Sequence, residues 1–177
     1  MIEFTELSDS DHQHFAKELF EDSFPAEERP TFSHLKERTA PNFHFVVATI
    51  DEDEPVGILT YWLFDEFAYV EHFAIAPDFR NQGFGKAVML NFMMKYPDQV
   101  VLEIELPTTE QADHRLEFYT DLGFTRNPQP YWQPSYHRRD QLALPMIIMS
   151  RYELDDGEFE EVKEILYRNV YKYEQKS

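Results

Sequence analysis

Cysteine is absent from this chain of 177 residues, so disulfide bonds, thiolate catalysis and cysteine-based zinc sites are excluded. Long apolar runs are missing as well, since no stretch approaches the roughly 18 apolar residues of a membrane-spanning helix. The segment from Met1 to Ser10 is acidic and lacks the apolar centre of a secretory signal. The sequence therefore predicts a cytoplasmic protein with no membrane partner.

Basic residues are scarce: 16 lysines and arginines stand against 34 aspartates and glutamates, for a net charge of −18. Such a charge repels nucleic acids and anionic membranes, and we expect neither as a partner. It attracts cations, which favours a cationic substrate, although a need for solubility also explains it. With 42% hydrophobic and 16% aromatic residues, the chain is too apolar to be disordered.

Repeats, low-complexity tracts and linkers are also absent, so we expect a single domain over residues 1–177. The hydrophobic period predicts the element order βααβββαβαββα, an α+β fold with a mixed, mostly antiparallel sheet of about seven strands flanked by helices. The predicted strands are residues 2–7, 43–50, 56–64, 67–75, 100–106, a strand from 124, and 144–152. The predicted helices are residues 8–22, 31–40, 85–96, 109–122 and an additional C-terminal helix within 155–174. We expect that last helix to pack on its own domain, with the choice between monomer and homodimer left open.

Glycine occurs only five times, and two of the five lie in the segment Arg80-Asn81-Gln82-Gly83-Phe84-Gly85-Lys86. This segment joins a predicted strand to a predicted helix, so main-chain N–H groups and the positive end of the helix dipole face outward together. Arg80 and Lys86 add positive charge, and the segment predicts an anion site. A dinucleotide fingerprint requires glycine where Val88 stands, and a P-loop requires serine or threonine where Ala87 stands. The alternative is a loop that only needs two flexible residues.

The spacing Arg-x-x-Gly-x-Gly, here Arg80, Gly83 and Gly85, resembles the pyrophosphate-binding motif of the GNAT family of N-acetyltransferases. The later segment Phe118-Tyr119-Thr120-Asp121-Leu122-Gly123-Phe124 is similar to the end of the next helix in that family. The resemblance spans residues 1–152, and residues 131–136 resemble a bacterial branch of the family. It implies the GNAT fold and acetyl-CoA as the acetyl donor.

The resemblance also implies how the donor is held. Main-chain groups of Phe73, Ala74 and Ile75 would bind the pantetheine arm and polarise the thioester carbonyl. The pyrophosphate would be held by Arg80, Asn81, Gln82, Gly83, Phe84, Gly85 and Lys86. Tyr119 would protonate the leaving thiolate, a step for which a phenol is a suitable general acid. The alternative is that Tyr119 is only an aromatic residue of the core. The chain departs from the family at Ala112, where many members carry an asparagine that contacts the cofactor.

Three glutamates stand in predicted strands and are candidates for acid–base chemistry. Glu71 lies two residues before Phe73 on the same strand face, so we expect it to point toward the acceptor. Glu103 and Glu105 share one face of the following strand, where carboxylates are costly unless they are paired or face a cleft. Either Glu71 or Glu103 is predicted to be the catalytic base, and the resemblance also points to Glu103. The alternative is that these glutamates bind a cationic substrate or face water.

The segment after the last motif predicts an acceptor site made of Tyr131, Gln133 and Tyr136 together with Glu105. Aromatic faces beside carboxylates suit an amine cation, and the alternative is a packed loop. No metal site is predicted, because His12 and His14 are two residues apart on a helix and point to different faces.

The sequence thus predicts an enzyme that transfers an acetyl group from acetyl-CoA to a primary amine of a small molecule. Acetylation of a protein N-terminus or lysine is an alternative with the same chemistry. A non-catalytic acyl-CoA-binding module is an alternative of a different class.

Overall fold

The structure is a computed structural model that describes residues 1–175. Its contacts divide the chain into two compact units, Met1–Val100 and a second that begins at Val101. The mixed α+β fold is confirmed, with eight strands in the described part of the chain rather than about seven. No helix within residues 1–175 is long and apolar enough to cross a membrane.

The first unit is built on an antiparallel meander in which consecutive strands are neighbours. Its strands are β1 (Glu3–Glu6), β2 (Phe43–Ile50), β3 (Glu54–Leu63) and β4 (Ala68–Ile75). Its helices are α1 (Gln13–Ser23), α2 (Phe32–Lys36) and α3 (Phe84–Lys95). The predicted start of α1 at residue 8 is wrong, because Leu7–Asp9 form a 3₁₀ turn first. The second helix is also shorter than predicted, ending at Lys36.

Aromatic side chains fill the core of this unit. Phe20 of α1 is fully buried and lies 6.4 Å, centre to centre, from both Phe32 and Phe45. On α3, four residues of one face are buried: Val88, Met89, Phe92 and Met93. This packing fixes α3, and with it the loop that leads into the helix.

Gly57 marks a close approach between β3 and β4. It pairs with Ile75, and a Cβ atom at this position would lie 2.7 Å from the carbonyl oxygen of Ala74 and 2.8 Å from the Ile75 Cδ1 atom. Real Cβ atoms do not come that near, so glycine is required for this packing of the end of β4.

The second unit is organised around one long strand that pairs with three others, all antiparallel. Its strands are β5 (Val100–Glu105, whose first residue belongs to the first unit), β6 (Thr125–Arg126), β7 (Tyr131–Pro134) and the long β8 (Leu142–Ser150). Its helices are α4 (Glu110–Asp121) and α5 (Asp156–Ile165), and α5 continues into a π-helical turn over Leu166–Val170.

The segment that holds Tyr131 and Gln133 is a strand rather than the packed loop that the sequence left as an alternative. Residues 131–134 pair with β8 as β7, with a register shift at Pro134 that lets the strand accommodate the proline. The additional C-terminal helix is confirmed, with a capping box between Asp155 and Glu158 at its start. Its regular α-helical part is shorter than predicted, since it ends at Ile165.

Candidate active site

The glycine loop, residues 80–85, leads into the start of α3. Among the described residues, no side chain forms a capping hydrogen bond there. Gly83 precedes α3 with a φ of 85°, in the left-handed region that favours glycine, and Asn81 has a φ of 61°. A Cβ atom at Gly83 would meet nothing within 4 Å. No side chain of the described residues thus caps the first N–H groups of α3, and such a helix start can bind an anion.

Two cations flank this helix start. Arg80 is exposed, and its Nε donates to the carbonyl oxygen of Ile75 at 2.8 Å, which holds the guanidinium beside the end of β4. Lys86 is exposed in the first turn of α3. The Gln82 amide donates to the carbonyl oxygen of Asp78 at 2.8 Å and closes the turn. The Phe84 ring packs edge-on at 5.4 Å against Phe79.

Strand β4 ends at the start of this loop with Phe73, Ala74 and Ile75, the three residues whose main chain is expected to bind the pantetheine arm. Ala74 and Ile75 are buried and Phe73 is half-buried, and β3 pairs with all three. The whole residue Glu71 is half-buried, but its side chain is 0% exposed. The exposed atoms of Glu71 therefore belong to the main chain. Main-chain groups of β4 are thus accessible at Glu71.

The carboxylate of Glu71 has an environment that its position in the strand did not reveal. Arg38 donates to it from Nη1 at 2.7 Å and from Nη2 at 3.3 Å, and the Trp62 indole N–H donates at 2.7 Å. Burial works to raise the pKa of Glu71, but the charge of Arg38 and these hydrogen bonds outweigh it, and the pKa lies below its ordinary value. A buried carboxylate held in this way is a poor proton acceptor.

Arg38 is itself clamped between aromatic rings. Its guanidinium carbon lies 4.6 Å from the centre of the Phe43 ring and 5.2 Å from that of Trp62. Sequence reasoning missed this arginine, because it lies in the segment after α2, 33 residues before Glu71.

Glu103 on β5 lies in a cluster of tyrosines within the second unit. The Tyr171 hydroxyl donates to both carboxylate oxygens, at 2.9 Å to Oε2 and in a very short contact to Oε1. The Gln133 amide donates to Oε2 at 3.2 Å. At these contacts the hydrogen-bond donors to the Glu103 carboxylate are neutral, whereas Arg38 donates to the carboxylate of Glu71. Glu103 is half-buried. This environment keeps a carboxylate in place without an ion pair at these contacts.

The acceptor residues predicted from the sequence converge on that carboxylate. Tyr131 is buried, and the charge of Glu103 adds to burial in raising its pKa well above the ordinary value. Tyr136 packs its ring at 5.0 Å on Tyr171, which already contacts Glu103. Glu105 does not join them, because its carboxylate forms a close ion pair with Arg115. Tyr167 and Tyr171 were missed, although their spacing of four residues in a predicted helix placed them on one face.

Tyr119 is buried on α4, with its ring 5.0 Å from Phe118 and 5.7 Å from Phe124. Burial raises the pKa of Tyr119 to about 12, while the nearby charge of Arg115 partly opposes that shift. The phenol is therefore protonated throughout the neutral range. Helix α4 ends as predicted, since Gly123 follows it with a φ of 96°. Among residues 1–175, no three His, Asp or Glu side chains are grouped so that they could hold a metal ion.

The sequence and the fold match those of known acetyltransferases. The model of the acetyltransferase (GNAT) family matches residues 10–124. A solved structure from Bacteroides thetaiotaomicron, assigned to the GNAT acetyltransferases, is 38% identical, with a TM-score of 0.87 over 98% of this chain and 99% of its own. The comparison with curated proteins gave no match.

More distant structures share the fold alone. The ribosomal-protein-S18-alanine N-acetyltransferase of Escherichia coli is 17% identical, with a TM-score of 0.59 over 85% of this chain and 92% of its own. A GNAT acetyltransferase from Elizabethkingia anophelis with acetyl-CoA bound is 16% identical, with a TM-score of 0.56 over 84% of this chain and 96% of its own. With the family match over residues 10–124 and a 38% identical relative along nearly all of its length, the chain belongs to the GNAT family of acetyltransferases.

Proposed function

We propose that this acetyltransferase takes its acetyl group from acetyl-CoA and transfers it to a primary amine of a small molecule. The observation that carries the donor half of the proposal is the uncapped start of α3 behind Gly83. Its open N–H groups and the positive end of the helix dipole suit the pyrophosphate of coenzyme A. In a chain of net charge −18, Arg80 and Lys86 make this helix start locally cationic.

The accessible main chain of β4 supports the same donor. A pantetheine arm carries amide groups that pair with a strand much as another strand would, and β4 offers main-chain atoms at Glu71, two residues before Phe73. In the structure from Elizabethkingia anophelis, a protein of the same fold holds acetyl-CoA. We therefore assign Phe73, Ala74 and Ile75 to the arm and residues 80–86 to the pyrophosphate.

The proposed reaction is direct attack. The ammonium form of the acceptor first loses one proton to Glu103, which passes it to water. The nitrogen of the neutral amine then forms a bond to the thioester carbonyl carbon while the carbon–sulfur bond breaks, and Glu103 accepts the second proton that the nitrogen loses. Tyr119 donates its hydroxyl proton to the departing sulfur and is reprotonated from water, and Glu103 returns its proton to water. The products are the N-acetylated amine and free coenzyme A, so protons and bonds balance. We prefer Glu103 to Glu71 as the base because Arg38 lowers the pKa of Glu71 against the effect of burial.

A small cationic acceptor fits the second unit. Tyrosine rings lie next to the carboxylate of Glu103, an arrangement that binds alkylammonium groups through charge and ring faces. The overall acidic charge would concentrate such cations near the protein and repel acidic acceptors.

The donor site is tested by calorimetry with acetyl-CoA. Lys86→Gln removes a charge at the start of α3 and should weaken binding about tenfold, which corresponds to one charge-assisted hydrogen bond. Lys95→Gln removes the same charge in the last turn of the same helix and should leave binding within twofold of the parent. Equal losses in the two variants, or no binding by the parent, would refute this donor site.

A further inference from the structure

The C-terminal segment brings two tyrosines to Glu103. Both Tyr167 and Tyr171 lie beyond residues 10–124, the part that matches the family. The π-helical turn after α5 places Tyr171, whose N–H donates to the carbonyl oxygen of Leu166 at 3.2 Å. Tyr171 is only 4% exposed, so this tyrosine is built into the second unit rather than lying on its surface.

Tyr171 both holds the carboxylate and extends the ring cluster. Its hydroxyl contacts both oxygens of Glu103, which fixes the plane of the carboxylate. Its ring packs on Tyr136 at 5.0 Å, and the Tyr167 ring lies 5.9 Å from Tyr131. Tyr171 thus joins Tyr136 to the carboxylate, and Tyr167 joins the C-terminal segment to Tyr131.

Tyr131 belongs to the same cluster. Its hydroxyl is buried, and both the charge of Glu103 and hydrogen bonding to it add to burial in raising the pKa of Tyr131. The group is therefore a neutral phenol, and the charge beside it is that of Glu103.

An alkylammonium group matches this arrangement. It carries a positive charge and three N–H donors, which a carboxylate such as that of Glu103 accepts. The neighbouring tyrosine rings offer their faces to the positive charge. A neutral alcohol of the same shape lacks the charge and two of the donors.

We propose that the C-terminal segment completes the acceptor site, with Tyr171 as the positioning residue that holds Glu103 for an amine cation. The inference rests on the proposed function, in which Glu103 meets the amine. It assigns acceptor preference in this chain to tyrosines outside the family-matched region, and it gives the added helix α5 a role beyond packing.

The test compares Tyr171→Phe with Tyr173→Phe in the full chain. Both variants keep the ring and lose one hydroxyl, but only the first loses the hydrogen bonds to Glu103, because Tyr173 contacts the cluster through its ring on Tyr167. Binding of benzylamine, butylamine and 1,4-diaminobutane is measured by NMR titration, with benzyl alcohol as the neutral counterpart and acetyl-CoA as the donor.

The parent should bind at least one amine more tightly than benzyl alcohol. Tyr171→Phe should weaken that binding at least fivefold and leave acetyl-CoA affinity unchanged, whereas Tyr173→Phe should change amine binding less than twofold. Equal effects of the two variants, or no amine bound by the parent, would overturn the inference. Failure of the donor proposal looks different, because acetyl-CoA would then fail to bind while the amine titrations kept their pattern.

Discussion

At the scale of single residues, His72 is the clearest source of pH-dependent stability. The imidazole is buried, shares a hydrogen bond of 3.1 Å with Thr60 and packs edge-on against Phe20 and Phe24. Burial lowers the pKa of His72 to about 4, with the charges of Arg38 and Arg29 acting in the same direction and that of Glu71 opposing them.

The sign of the effect follows from the protons bound by each state. Between pH 6.5 and about 4 the unfolded chain binds a proton at His72 that the folded chain does not, so stability falls as the pH falls. We expect the free energy of unfolding to drop by about 2 kcal/mol between pH 7 and 4.5 through this residue. The lowered pKa of Glu71 makes the protein lose stability only at more acidic pH, below 4.5, the ordinary pKa of a glutamate.

Urea unfolding at pH 7 and pH 4.5 measures this loss. In His72→Gln the difference between the two pH values should be smaller than in the parent by about that amount. His14→Gln is the control, because that side chain is 93% exposed, and its difference should equal that of the parent. A His72→Gln curve that parallels the parent would contradict the assignment.

Tyr119 carries the proposed general-acid step. Its pKa of about 12 keeps it protonated up to pH 10, so Tyr119 should not produce an alkaline decline in rate within the usual assay range. Tyr119→Phe should lower kcat about 100-fold with acetyl-CoA affinity unchanged, as expected when a general acid is lost. Steady-state kinetics with Tyr152→Phe as the control would show it, and a kcat for Tyr119→Phe equal to that of the parent would rule out this role.

Single residues also show where sequence reasoning ends. Glu71 and Glu103 looked equivalent in a pattern of alternating strand residues, and their difference depends on partners far away in the chain. Arg38 lies 33 positions before Glu71, and Tyr171 lies 68 positions after Glu103. Local periodicity carries no information about such pairs, so the sequence could nominate the carboxylates but could not distinguish them.

At the scale of elements, the glycine loop and α3 were predictable because their causes are local. The left-handed Gly83, the buried face of α3 and the glycine after α4 each follow from residues within one or two turns. Strand β7 was missed for the opposite reason, since it depends on pairing with β8. Its own Pro134 and the prolines just before it argue against a strand.

The pairing of β3 with β4 gives a prediction at this scale. Gly57→Ala should lower the free energy of unfolding by about 1–3 kcal/mol, because the new methyl group overlaps the main chain of β4. Gly157→Ala is the matched control: its Cβ would lie 3.4 Å from Asp155 Oδ1 at the start of α5, where alanine is the better helix former. Urea unfolding of the two variants checks this, and equal stabilities would show that β4 can move aside without cost.

At the scale of the whole molecule, the charge of −18 bears on the acceptor rather than on the fold. It should raise the local concentration of cationic amines, and this effect weakens as salt screens it. For an amine acceptor we therefore expect kcat/KM to fall as the ionic strength rises. Stopped-time assays across a salt series would detect it, and an increase with salt would exclude electrostatic attraction of the acceptor.

The most direct test of the central claim is release of the coenzyme A thiol from acetyl-CoA in the presence of benzylamine, butylamine or 1,4-diaminobutane. We predict release that requires an amine, yields the N-acetylated product, and falls about 100-fold in Glu103→Gln, the loss expected for a general base. Glu117→Gln, which removes an exposed carboxylate of α4, should match the parent. Tight binding of acetyl-CoA without thiol release for any amine, or a Glu103→Gln variant as fast as the parent, would contradict the account.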